Sequence, residues 1–181
     1  MTRSDALRNR ARVVQAAEAV FSERGLEACV DEVAARAGVG KATVYRSFPT
    51  KEHLVAAVAV QRLRWFQERA EAAAQEADAA AALERLLVSA AEAQAADRVL
   101  AGAIAGAPEM PELVAAREAV RAALQEVLDA GVAADALRAD ATADDVKVHF
   151  SGIARVLHER GEHDPAVWRR HARMVAAALR A

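Results

Sequence analysis

Lys41, Thr43, Tyr45 and Arg46 place an ammonium, a hydroxyl, a phenol and a guanidinium along one short stretch of chain. Their apolar neighbours Ala42, Val44 and Phe48 recur near helical spacing, with the Tyr45 ring on the same side. A helix built on this stretch packs one side and leaves Lys41, Thr43, Arg46 and the Tyr45 hydroxyl for a polar partner. Just upstream, Val33, Ala34 and Ala37 give a second short helix its own apolar face. Gly38-Val39-Gly40 joins the two, with glycine wherever the turn requires φ > 0. Two short helices across a tight turn are the layout of a helix-turn-helix, whose second helix can enter the major groove of B-DNA.

Several further motifs stand in order around it. Phe21-Ser22-Glu23-Arg24-Gly25 precedes the stretch from Val33 to Phe48, and Lys51-Glu52-His53-Leu54 follows it. In this order and spacing they resemble the N-terminal domain of the TetR family of transcriptional regulators, over roughly residues 10 to 55. The resemblance implies that Lys41 to Phe48 is a recognition helix. It implies DNA binding by Lys41, Ala42, Thr43, Tyr45, Arg46 and Lys51, with Thr43 and Tyr45 on phosphate or base edges and Lys51 on phosphate. Arg46 either reads guanine or clamps phosphate, both natural roles for a guanidinium. Phe48 is expected to pack the small domain. Gly40 stands where the family more often caps the helix with serine, and Ser47 where an aromatic or histidine is frequent.

The elements that must position these residues read as helical throughout. Alanine is abundant, only eight glycines and four prolines occur, and β-branched or aromatic residues rarely alternate with period two. A first helix is expected over about Ala6 to Arg24, closed by Gly25. Arg3, Arg8, Arg10 and Arg12 either reach phosphates or form a solvated face. Asp31 either caps the second helix or lies in its first turn, and the resemblance implies a start nearer Cys29 or Val30. Pro49-Thr50 separates the third helix from a long fourth, about Lys51 to Gln75. Further helices are expected near 78–95, 96–105, 113–130 (ended by Gly131), 144–160 (capped at Thr142) and 166–180 (with Pro165 in its first turn). The fold expected is all-α: a three-helix helix-turn-helix domain at 1–50, then a larger helical effector-binding and dimerisation domain at 51–181.

Charge and composition set bounds. The net charge is −2, yet residues 1–55 hold nine Lys/Arg against seven Asp/Glu. A mildly basic front suits a phosphate backbone. Cys29 is the single cysteine, which excludes an intrachain disulfide and favours a buried small hydrophobe there. No apolar run is long enough to span a bilayer, and no signal-peptide core precedes the first helix, so a cytoplasmic, soluble protein without membrane partners is expected. The five histidines form no metal motif; His158 and His163 stand one residue too far apart for His-Glu-x-x-His. No nucleophile elbow or phosphate loop appears. No catalytic residue, metal or cofactor is expected.

The resemblance further implies a homodimer on a palindromic operator in double-stranded DNA, with the last two helices pairing in a four-helix bundle, and a small-molecule effector. A single recognition helix reads one half-site, so geometry agrees with a dimer. Candidate pocket residues are Phe66, Leu87, Leu100, Ile104, Met110, Leu124, His149, Phe150 and Ile153, with His149 beside Phe150 placed to orient a ligand. The reading is a transcriptional repressor released by its effector. The alternative is a helical ligand-sensing or interaction protein with degenerate DNA binding.

Overall fold

The computed structural model describes residues 3–25, 27–96 and 110–181. Eight helices occur among them: α1 (Arg3–Arg24), α2 (Val30–Ala37), α3 (Lys41–Ser47), α4 (Lys51–Ala74), α5 (Ala79–Ala96), α6 (Pro111–Ala133), α7 (Ala143–Glu159) and α8 (Pro165–Ala178). The helix expected over 96–105 lies almost wholly outside the described residues. None of the described helices is long and apolar enough to cross a membrane. Contacts divide the chain into two compact units, and among the described helices the divisions fall inside α4, between Arg62 and Leu63, and inside α6, between Val114 and Ala115.

In the first unit, α1 buries Val13, Val14, Ala17, Val20 and Phe21, a stripe repeating at three- and four-residue intervals. Against it pack Val30, Val33, Ala34 and Ala37 of α2, Val44 and Phe48, and Leu54, Val55 and Val58 of α4. The α1 helix begins three residues earlier than expected and ends where the N–H of Gly25, at φ 77°, donates to Phe21 O at 2.9 Å. Cys29 is the N-cap of α2, exposed rather than buried, and its N–H donates to the Glu32 carboxylate at 2.8 Å. Asp31 therefore lies in the first turn and does not cap. The other end of α2 is closed by Gly38 at φ 64°: its N–H donates to Ala35 O, and the Val39 N–H reaches back to Ala34 O. That pair of bonds is a Schellman closure, which needs a left-handed residue at this point. Gly40 needs no such freedom. It is extended at φ −71° and caps α3 without a side chain.

In the second unit, Ala70 and Ala73 of α4, Leu83, Leu86 and Leu87 of α5, Leu124, Val127 and Leu128 of α6, Val146 and Leu157 of α7, and Trp168 and Val175 of α8 form one core. Alanines at 79, 80, 82, 90, 91 and 95 are buried on α5, and α5 packs along α8. Helix starts follow local chemistry. Asp78 accepts from the Ala81 N–H, and Asp164 from the Ala166 N–H ahead of Pro165. At α7, Thr142 Oγ1 accepts from the Asp145 N–H at 3.2 Å while Asp145 Oδ2 accepts from the Thr142 N–H at 3.0 Å, a reciprocal capping box.

Gly131 corrects the sequence reading. It is buried inside α6, which runs on to Ala133, and the left-handed residue beyond the helix is Asp135 at φ 52°. Asp135 and Ala136 donate to Val132 O and Gly131 O, closing the helix without glycine. Gly131 serves a tertiary contact instead, since a Cβ there would run into the Leu137 side chain. The connector carrying Leu137 pairs with the end of α8: the Arg138 N–H donates to Leu179 O at 3.0 Å, and the Ala181 N–H to Ala136 O at 3.3 Å.

Candidate nucleic-acid interface

Helix α3 is held by two anchors, Val44 and Phe48, which are 1% and 2% exposed. The sequence had placed Ala42 and Tyr45 on the same packed side. In the structure Ala42 is exposed and Tyr45 is 41% exposed, because a seven-residue helix lodged at Val44 and at Phe48 just beyond its end leaves these two positions facing outward. Lys41 and Arg46 are exposed, and Thr43 is half-buried. The six residues expected at DNA thus share α3 and the first position of α4, where Lys51 is half-buried with its ammonium 6.0 Å from the Phe21 ring centre. Thr50 caps α4: its hydroxyl lies 2.9 Å from His53 Nδ1 and accepts weakly from the His53 N–H. A hydrogen bond with the same hydroxyl holds the Glu52 carboxyl below its ordinary range.

Most cations of this unit already have internal work. Arg8 pairs with Asp5, and Arg10 stacks its guanidinium 4.5 Å from the centre of the Phe48 ring. Arg12 Nη2 donates to Ala37 O at 2.5 Å, covering a carbonyl at the end of α2. Arg24 pairs with Glu32, Arg36 chelates Glu23 Oε1 through both terminal nitrogens at 2.8 and 2.7 Å, and Arg62 pairs with Glu18 at 3.1 Å. Of the α1 arginines, Arg10 and Arg12 brace the unit, whereas Arg8 stands on a solvated face, paired along its own helix with Asp5. Among the described residues of this unit, Arg46 has no ion-pair, ring or side-chain hydrogen-bond partner, whereas Arg12, also without an ion pair or ring, is held by the Ala37 carbonyl. One residue escaped the sequence reading. Asp31 Oδ1 lies 2.7 Å from Lys41 Nζ, and this hydrogen bond raises the Lys41 pKa above its ordinary value. The signal was present as an acid and a lysine in the first turns of consecutive helices, but only the turn geometry brings them together.

The effector candidates scatter. Leu87 and Leu124 lie within the core of the second unit, and Phe66, Phe150 and Ile153 pack partly buried against it. Met110 is half-buried, and Leu100 and Ile104 lie outside the described residues. His149 is exposed, its Nδ1 2.7 Å from Asp145 O, so it is not the polar ring set among core residues that its sequence neighbours suggested. The next residue, Phe150, turns inward because neighbours on a helix point about 100° apart. A depression of about 200 Å³ between α5 and α8 is lined by Glu84, Arg85, Val88, Ser89, Glu92 and Arg173. It is open and lined largely by charged residues, and the pocket candidates do not line it. Among the described residues no group of three His, Cys, Asp or Glu side chains is placed to hold a metal.

Residues 13–58 match the model of the bacterial regulatory proteins of the tetR family. Among solved structures, the TetR transcription regulatory protein of Mycobacterium vanbaalenii is 37% identical, with 87% of this chain and 96% of that one covered at a TM-score of 0.67. A TetR transcriptional regulator of Streptomyces coelicolor is 28% identical over 94% of this chain and 98% of its own, at 0.70. A TetR transcription regulator of Haloarcula marismortui shares the fold at 20% identity, covering 96% and 98%, at 0.70. No curated protein matches. The likeness spans both units, and proteins of this kind are regulators rather than enzymes. By the match of residues 13–58, its fold and its identity to these structures, the chain belongs to the TetR family of transcriptional regulators.

Proposed function

We infer that the protein is a homodimeric repressor that binds a palindromic operator in double-stranded DNA and is released by a small-molecule effector. The observation that carries this reading is the outward surface of α3, where Lys41, Ala42, Tyr45 and Arg46 stand clear of a helix fixed by Val44 and Phe48. Phosphate contacts from Thr43, Tyr45 and Lys51 position such a helix, and Arg46 supplies a group able to read a base edge. A cytoplasmic location follows from acting on the genome.

The α7 and α8 helices support the dimer. Val148, Val156 and Met174 are large apolar residues left 69%, 44% and 60% exposed. Gly152 lies between the two valines at four-residue intervals, exposed and with nothing within 4 Å of where a Cβ would stand. Such a row, bare in one protomer and small at its centre, suits a twofold mate packed helix against helix. The effector acts by binding one spacing of the paired reading helices better than the other. Phe66, Phe150 and Ile153, partly buried against the core of the second unit, are its proposed contacts.

Selection of bound genomic fragments, followed by titration of the selected duplex, tests the reading. A palindromic winner bound by two protomers is expected. Binding without sequence preference, or none, favours the alternative of a helical sensor whose DNA binding has lapsed.

A further inference from the structure

Asp31 and Lys41 belong to successive helices and meet in their first turns. Lys41 Nζ is 2.7 Å from Asp31 Oδ1 and 2.9 Å from Oδ2. Their side chains are 55% and 57% exposed, so water reaches the pair and exchange with another anion is unhindered. The start of α2 is capped by other residues: Cys29 is its N-cap, and Glu32 accepts from the Cys29 N–H, so beyond the Lys41 pair Asp31 adds only its favourable charge in the first turn. The other salt bridges described in this unit, Arg8–Asp5, Arg24–Glu32, Arg36–Glu23 and Arg62–Glu18, tie the scaffold to itself. Asp31–Lys41 alone among those described in this unit ties up a cation of the reading helix.

We propose that Asp31 competes with DNA for the Lys41 ammonium, so that Lys41 reaches the duplex only by leaving this carboxylate, and that Asp31 thereby sets the strength and salt sensitivity of DNA binding. The proposal rests on the DNA-binding reading above. Its electrostatics are direct. A lysine moving from water to a phosphate displaces a condensed counterion, and each such contact steepens the salt dependence by about 0.9 in log–log slope. A lysine moving from Asp31 to a phosphate also leaves a bare carboxylate beside the polyanion, which recruits a cation back and cancels much of that gain. With its charge paired, Lys41 adds little; with Asp31 neutral, it counts in full. Arg46, which has no internal partner among the described residues, carries no such discount.

The test compares wild type, Asp31→Asn, Asp31→Glu, Lys41→Gln and the Asp31→Asn/Lys41→Gln double variant on one mixed-sequence duplex across a salt series. Circular dichroism and thermal unfolding check that all five are folded. Asp31→Asn is expected to tighten binding about two- to fivefold at low salt, the range of an exposed ion pair, and to steepen the slope by up to about 0.9 per protomer. Asp31→Glu, which keeps the charge, should behave as wild type. Lys41→Gln should weaken the Asp31→Asn protein more than it weakens wild type. A slope unchanged in Asp31→Asn, or an equal Lys41→Gln loss in both backgrounds, overturns the competition while leaving DNA binding itself intact. Absence of duplex binding in every variant overturns both readings. Binding that appears only in Asp31→Asn supports the competition in its strongest form.

Discussion

Arg46 illustrates how an interface is prepared before any ligand arrives. The arginines of α1 and α2 stack, chelate or donate to carbonyls, whereas Arg46 is exposed with no such partner among the described residues. Replacing it by alanine should weaken operator binding. If the guanidinium reads guanine, the loss is about 1–3 kcal/mol and one operator position becomes permissive. A loss equal for all sequences, with a shallower salt slope, would place it on phosphate. Competition titrations with single-base operator variants separate the two. Tyr45→Ala and Lys51→Ala should also weaken binding while helicity and dimerisation persist; unchanged operator affinity in both would remove their proposed phosphate roles. Gly40 offers a gain instead. Its backbone is extended at φ −71° and nothing lies within 4 Å of a Cβ there, so Gly40→Ser should add a capping hydroxyl to α3 at no steric cost. A rise of a few tenths of a kcal/mol in unfolding free energy is expected, measured by urea titration.

Among the elements, the capping box of α7 and the Gly131 contact of α6 make opposite demands. Thr142→Ala removes the acceptor of the Asp145 N–H and should cost about 1 kcal/mol. The Asp145 carboxyl is held below its ordinary value, first by the Thr142 hydroxyl and then by the Thr142 N–H. A depressed carboxyl contributes stability above its unfolded pKa and loses it as pH falls through the lower folded value. Wild type and Thr142→Asn should therefore differ little in their pH dependence near neutrality, whereas Asp145→Asn should flatten the acid side of the unfolding curve. Gly131→Ala forces a methyl into the Leu137 side chain and should destabilise by about 1–3 kcal/mol; in a Leu137→Ala background, itself destabilised by loss of a core side chain, the same glycine change should cost less. The contrast explains what was legible. Thr142, Pro165 and Gly38 act on neighbours within a few residues, so their roles stand in the sequence. Gly131 acts on a side chain across a turn, and read locally it looked like a stop. Val148 and Val156 fit the apolar pattern of α7 yet lie outside the core. Periodicity reports that a face avoids water, not which partner covers it. The Asp31–Lys41 pair and the Arg12–Ala37 bond were hidden for the same reason: both depend on how α1, α2 and α3 come together.

For the whole molecule, the proposed α7–α8 interface makes the oligomeric state the property to test. The wild-type protein should sediment as a dimer at micromolar concentration. Charging the exposed row with Val148→Glu and Met174→Glu should shift it towards monomer without unfolding it, because neither side chain belongs to the core. A folded dimer that survives both changes would place the interface elsewhere. Operator affinity should fall as dimerisation is lost, since on the proposed reading each protomer alone reads one half-site. On the proposed reading, α4 is the route from effector to operator, since one continuous helix supplies Leu54 and Val58 to the first core and Ala70 and Ala73 to the second. Cys29 makes that route measurable. It is the only thiol in the chain, it is exposed, and it sits at the start of α2 beside the reading helix. A nitroxide attached there gives a symmetric dimer a single spin–spin distance, and the native sequence needs no cysteine removed or added. The separation of the two reading heads, free, on operator and with each candidate effector, then becomes a one-parameter measurement.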